Sequence, residues 1–150
     1  MKKLMIVIAA MVLFAAGGSP AAAAGHGEEE AKEKKLFVTL MDVDAQARGM
    51  TLVLANQAAA QGVGVRVLLC GDGAQLALTD YNPPKLRPRG VTPKQLLENL
   101  MQNGANVEVC AIFLPNTGHS EEDLTDGIGV AHPADVANYM MQPDVKLFTR

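Results

Sequence analysis

Residues 107–118 read V-E-V-C-A-I-F-L-P-N-T-G, a short apolar run that carries one cysteine and closes in a Pro/Asn/Gly turn. The alternation of valine with Glu108 and the β-branched content predict a buried strand rather than a helix. Cys110 falls toward the carboxyl half of that strand, and in open parallel α/β sheets the carboxyl edge is where ligands and chemistry gather. Two readings of the thiol stand side by side. It is a reactive group at the sheet edge, or it is a small hydrophobe of the core, which is how a free strand cysteine commonly behaves.

Upstream of this strand, Thr92-Pro93-Lys94-Gln95 spells a helix start: threonine at the cap, proline at the first helical position and glutamine three residues after the cap. Leu96, Leu97, Leu100 and Met101 form the expected buried face, and Asn103-Gly104 ends the helix. Residues 79–91, T-D-Y-N-P-P-K-L-R-P-R-G-V, hold three prolines and no periodicity, so they predict a long loop of the kind that carries function. Within it Lys85, Arg87 and Arg89 place positive charge on an acidic protein, a candidate contact for an anion or a partner.

Earlier still, Leu36–Met41 reads as a first strand buried on both faces. Asp44 is a suitable cap for a helix over Ala45–Gln61 with Met50, Val53, Leu54 and Ala58 on its buried face and Gly62 as its stop. Gly49 in that helix is expected to allow close approach to the sheet. Val63–Cys70 reads as the second strand, ending in C-G-D-G-A, with a short helix near Leu76–Leu78. Gly71-x-Gly73 opens like a dinucleotide-binding loop, but no third glycine follows and the position is after the second strand, so the signal is weak.

Downstream, Ser120–Asp123 starts a short acidic helix, Ile128–Ala131 is a strand, Pro133–Gln142 a helix and Val145–Phe148 a last strand. Five strands alternating with helices predict a three-layer α/β/α fold around a five-stranded parallel sheet.

The amino terminus has another character. Lys2 and Lys3 precede an apolar run over Leu4–Ala16 and small residues ending at Ala24, which is the pattern of a secretory signal peptide over residues 1–24. Gly25–Lys35 is then a charged tail, and residues 36–150 are of a size that one core serves. Export to the periplasm or beyond is the expectation. Of 13 basic residues, loss of Lys2 and Lys3 leaves 11 against 16 acidic ones, a net charge of −5. The whole chain has no tryptophan, two tyrosines and four phenylalanines, so such a domain lacks the basic footprint and stacking rings that nucleic acid requires.

The chain from Lys35 to Phe148 resembles the DsrE/DsrF-like sulfur-relay proteins, of YchN-like fold. The resemblance is carried by the small-residue helix Ala45–Gln61, the D-G-A at Asp72–Ala74, and V-E-V-C with Leu114 and Gly118 four and eight residues after Cys110. It implies that Cys110 carries sulfur as a persulfide, exchanged with donor and acceptor proteins, and that the protein assembles as a trimer or hexamer. Thr117 stands where relay members often have an arginine. Relay systems are typically cytoplasmic, whereas this chain begins like an exported one.

Cys110 is thus the candidate catalytic residue, with Cys70, Asp72, His119 and His132 as candidate supporting groups. No cofactor is implied, and no C-x-x-C or H-x-x-x-H spacing supports a metal site. Cys70 has three readings: core, resolving partner, or second thiol of the site. In an oxidising compartment two cysteines pair by default. A doubly wound order with the first strand central, however, puts their strands two spacings apart, roughly 9.6 Å, beyond the limit of about 7 Å between Cα atoms. Two free thiols are therefore expected. A non-catalytic, oligomeric small-ligand-binding protein, with Cys110 in a pocket wall, is the alternative function.

Overall fold

The computed structural model describes residues 34–150. The expected signal peptide and most of the expected charged tail lie outside the described residues.

Five strands, β1 (Lys35–Leu40), β2 (Gly64–Leu69), β3 (Asn106–Cys110), β4 (Gly129–Ala131) and β5 (Val145–Thr149), form one sheet. All its pairings are parallel. Four α-helices connect them: α1 (Ala45–Ala60), α2 (Pro93–Gln102), α3 (Phe113–Thr117) and α4 (Pro133–Met140), with 3₁₀ turns at Gly71–Ala77 and Glu121–Asp123. The expected α/β class with a five-stranded parallel sheet is the observed one.

Local signals set the helix starts. Asp44 Oδ1 accepts from the Ala47 amide at 2.8 Å. At α2 the Thr92 hydroxyl accepts from the Gln95 amide at 3.1 Å while the Gln95 side chain accepts from the Thr92 amide at 2.9 Å. Loss of such a cap typically costs about 1 kcal/mol.

The strand order is β4-β3-β2-β1-β5, which corrects the expected order. Here β3 adds beside β2, and β5 takes the free edge of β1. Each right-handed crossover lays its connection on a face fixed by the direction of travel. Steps from β1 through β4 all run one way, so their connections share a face; the step from β4 to β5 runs back and puts α4 on the other. The main core joins Leu52, Ala55, Leu97 and Leu100 of the helices to Val38, Leu40, Val65, Val67, Leu69, Val107 and Val109 of the strands. The second core is small: Phe37, Ala131 and Val136, with Leu68, Tyr139 and Val145 against it. One eight-residue helix covers that face, and Ile112, Met140, Met141 and Leu147 stay exposed around it.

Two other expectations are corrected. The strand of residues 107–118 stops at Cys110, and Phe113–Thr117 is a helical turn capped by Gly118 at φ 73°. In α1 the buried residues are Arg48, Gly49, Thr51, Leu52 and Ala55, whereas Met50, Val53 and Leu54 are exposed. Apolar and polar residues are not segregated to separate sides of that helix, so periodicity does not select a face. Gly49 makes room for the Leu86 side chain of the long loop rather than for the sheet. Gly73 has a stricter role, because a Cβ there would meet the Leu40 carbonyl. The glycines of C-G-D-G-A are thus explained by the fold: Gly71 has φ 52°, and Gly73 packs backbone on backbone.

Candidate functional site

Strands β2 and β3 run in parallel register, with Leu69 beside Val109. One position further along each chain stand Cys70 and Cys110, with Cα atoms 5.2 Å apart and their sulfurs joined in a disulfide. No free cysteine is present among the described residues. The expectation of two free thiols is therefore overturned, and with it the resting Cys110 thiol from which the sulfur-carrier reading started. The premise of that expectation was two intervening spacings, and neighbouring strands have only one, about 4.8 Å. Cys110 does lie at the carboxyl edge, as the last residue of β3.

Both cysteines are half-buried and border open space. A cavity of about 460 Å³ touches both of them and is lined by Asp72, Gln75, Phe113, Asn116 and Thr117 among others. A second, of about 320 Å³, touches Cys110 without touching Cys70. Its walls are Leu68, Ala111, Ile112, Ala131, Pro133, Val136, Ala137 and Met140, which makes it apolar. Leu68, Ala131 and Val136 of the second cavity belong to the sheet face under α4, whereas Asp72, Gln75, Phe113 and Thr117 of the first lie in the connections that follow β2 and β3.

The sequence-predicted residues divide. Asp72 shares the first cavity with the bridge. His119 and His132 line neither cavity. The His119 ring stacks on Phe113, 6.2 Å between centroids, and its Nδ1 is 3.6 Å from an Asp123 carboxylate oxygen. The Ser120 amide donates to that carboxylate at 2.7 Å, and this bond, with smaller contributions from the Ser120 hydroxyl and His119, holds Asp123 below its usual pKa against the effect of desolvation. His132 is the exposed N-cap of α4 and makes no side-chain cap. Thr117 faces the first cavity, and its hydroxyl donates to the Phe113 carbonyl at 2.7 Å.

Lys85, Arg87 and Arg89 lie away from the cysteines, on a cleft of about 800 Å³ floored by Met50, Val53, Leu86 and Leu96. Leu86 bridges back to Val91, which folds the loop over α1.

Arg48 was not foreseen. It is 1% exposed and joins three segments at the carboxyl edge, donating to the Asp42 carbonyl at 2.5 Å, the Tyr81 hydroxyl at 2.9 Å and the Asp72 carbonyl at 2.8 Å. A buried guanidinium must be satisfied in this way. It fixes Asp72 and the turn after Cys70, so it supports the site without touching the sulfurs. Arg66 and Glu108, 2.6 Å apart under α4, with Arg66 4.9 Å from the Tyr139 ring centroid, were also missed. The V-R-V and V-E-V patterns of β2 and β3 place both on one face. Among the described residues, no three His, Cys, Asp or Glu side chains converge as a metal site, and no helix is long and apolar enough to cross a membrane.

A five-stranded parallel sheet with connecting helices on both faces defines a YchN-like α/β fold. The structure of the YchN protein from E. coli superposes with a TM-score of 0.65 over 79% of this chain and 99% of that one, at 21% identity. MTH1491 from Methanobacterium thermoautotrophicum, a protein of unknown function, superposes with a TM-score of 0.62 over 79% of this chain and all of that one, at 13% identity. The chain belongs to the family of the uncharacterized protein MK0008 of Methanopyrus kandleri, with which it is 32% identical over 104 residues, 69% of this chain and 83% of that protein. The uncharacterized protein MJ0989 of Methanocaldococcus jannaschii is 30% identical over 93 residues, 62% of this chain and 78% of its own. No family model matches the chain.

Proposed function

We propose that this is an exported, DsrE-like sulfur-handling protein in which Cys110 carries sulfane sulfur as a persulfide and Cys70 is its resolving partner. The observation that carries the reading is the bridge itself: two cysteines on adjacent strand ends, half-buried and bordered by open cavities. A sequestered structural disulfide has no need of such access. The bridge is the oxidised form of the pair. Once a dithiol reductant opens it, the Cys110 thiolate attacks the outer sulfur of a donor persulfide, gains that sulfur and releases the donor thiolate; an acceptor thiolate then removes it by the same exchange. A disulfide also fits an oxidising compartment, in keeping with the signal-like first 24 residues.

Assembly as a trimer or hexamer belongs to the proposal. The thinly covered face leaves Ile112, Met141 and Leu147 exposed, and Met50, Val53 and Leu54 are exposed on α1, more apolar surface than a monomer needs to show. Light scattering of the mature protein is expected to give a mass above that of one chain.

The test is loading. Reduced protein, treated with inorganic polysulfide and freed of excess, is expected to gain one sulfur on the Cys110 peptide and to lose it to a small acceptor thiol. Protein that takes up no sulfur at Cys110 refutes carriage. It would leave the small-ligand reading, with Cys110 in the wall of the 320 Å³ apolar cavity.

A further inference from the structure

The bridge is approached from two chemically different sides. Across the carboxyl edge the order is Cys70 after β2, Cys110 ending β3, and Ala131 ending β4. The 320 Å³ chamber under α4 borders Cys110 and not Cys70. The 460 Å³ cavity borders both cysteines and includes polar Gln75 and Asn116. A nucleophile arriving through the apolar chamber reaches Cys110 and not Cys70, so its attack on Cys110 makes Cys70 the leaving group.

The chamber also selects the nucleophile. Apolar walls from Leu68, Ala131, Pro133, Val136 and Met140 offer nothing to replace the hydration of a charged thiol such as a tripeptide, and stripping that water is costly. Hydrogen sulfide is small and crosses the chamber uncharged, and the proton it gives up as its sulfur attacks passes to the departing Cys70 sulfur.

We propose that hydrosulfide loads the oxidised pair directly through this chamber. The proposal rests on the sulfur-carriage reading and adds its sulfur source. The hydrosulfide sulfur forms a bond to Cys110 Sγ as the Cys70–Cys110 bond breaks, and the electron pair of that bond leaves on Cys70 Sγ. The products are the Cys110 hydropersulfide and the Cys70 thiolate, which takes up the proton that hydrogen sulfide gives up. Sulfide is oxidised to the sulfane level and the disulfide is the two-electron oxidant, so no further oxidant enters. Cys70, bordering the larger cavity, closes the bridge again by attacking Cys110 and expelling hydrosulfide, unless an acceptor takes the outer sulfur first.

The experiment uses unreduced full-length mature protein and millimolar sodium hydrosulfide, quenched with an alkylating reagent and read by peptide mass. The expected result is a persulfide on the Cys110 peptide and an alkylated thiol on the Cys70 peptide. A bridge that stays closed, or a persulfide on the Cys70 peptide, overturns the proposal. Ala137→Phe, at an exposed position of the chamber wall where substitution is ordinarily tolerated, is expected to slow opening by roughly tenfold or more, with an unchanged melting temperature as the check on folding. A folded Ala137→Phe protein that opens at the parent rate overturns the route. Cys70→Ser separates this inference from carriage: it has no bridge, so hydrosulfide does not load it, whereas polysulfide does. Loading of Cys70→Ser by polysulfide together with a hydrosulfide-resistant parent bridge refutes the hydrosulfide step alone. Failure of both reagents refutes carriage as well.

Discussion

Reducing the Cys70–Cys110 bridge opens a loop whose ends are 40 residues apart in sequence. The chain-entropy relation gives about 13 cal/mol/K for a loop of that length, or about 4 kcal/mol at room temperature, as the stabilisation lost on opening. Measured bridges commonly deliver between about half of that value and all of it. With an unfolding entropy of about 0.25 kcal/mol/K for a domain of this size, the melting temperature is expected to fall by about 8–16 °C. Because β2 and β3 remain paired from Arg66 to Leu69, the loss acts mainly on the unfolded chain, and the far-ultraviolet spectrum of the folded state should not change. The assay is thermal unfolding with and without a reductant, with thiol titration before and after. Cys70→Ser should reproduce the lower midpoint and be insensitive to reductant. A shift below about 3 °C in protein shown to have been bridged, then reduced, would refute the entropic argument.

Gly73→Ala drives a methyl into the Leu40 carbonyl, whereas at Gly49 the obstacle is the end of the Leu86 side chain. Urea titration should show a loss of about 2–4 kcal/mol for Gly73→Ala and under about 1 kcal/mol for Gly49→Ala; equal losses would show that backbone contact is not the deciding factor. Arg48→Met strands the partners at Asp42, Asp72 and Tyr81 and is expected to cost about 3 kcal/mol in the same titration, with alkylation of the reduced cysteines accelerated. Reversing the charges of Lys85, Arg87 and Arg89, all exposed, should change the melting temperature by no more than about 3 °C. Calorimetry that finds a larger drop would make the loop structural.

The sequence by itself determined what depends on local chemistry. Thr92, Pro93 and Gln95 fix the start of α2 because a capping box is complete within four residues, and Asp44 does the same for α1. Alternating apolar runs separated by capped helices likewise required a parallel sheet, and they put Cys110 at its carboxyl edge. Only the tertiary structure decided the neighbours. A strand buried on both faces pairs equally well on either side, so nothing in Val63–Cys70 or Val107–Cys110 states that β3 lies beside β2; that choice brings two half-buried cysteines from 9.6 Å, as expected, to 5.2 Å. The same holds for α1, whose apolar residues fall on every side of the helix and left its buried face to packing against α2 and Leu86. Arg48 became a structural hub because Asp42, Asp72 and Tyr81 converge on it from separate segments, and a guanidinium's partners are set by where the chain folds, not by its spacing.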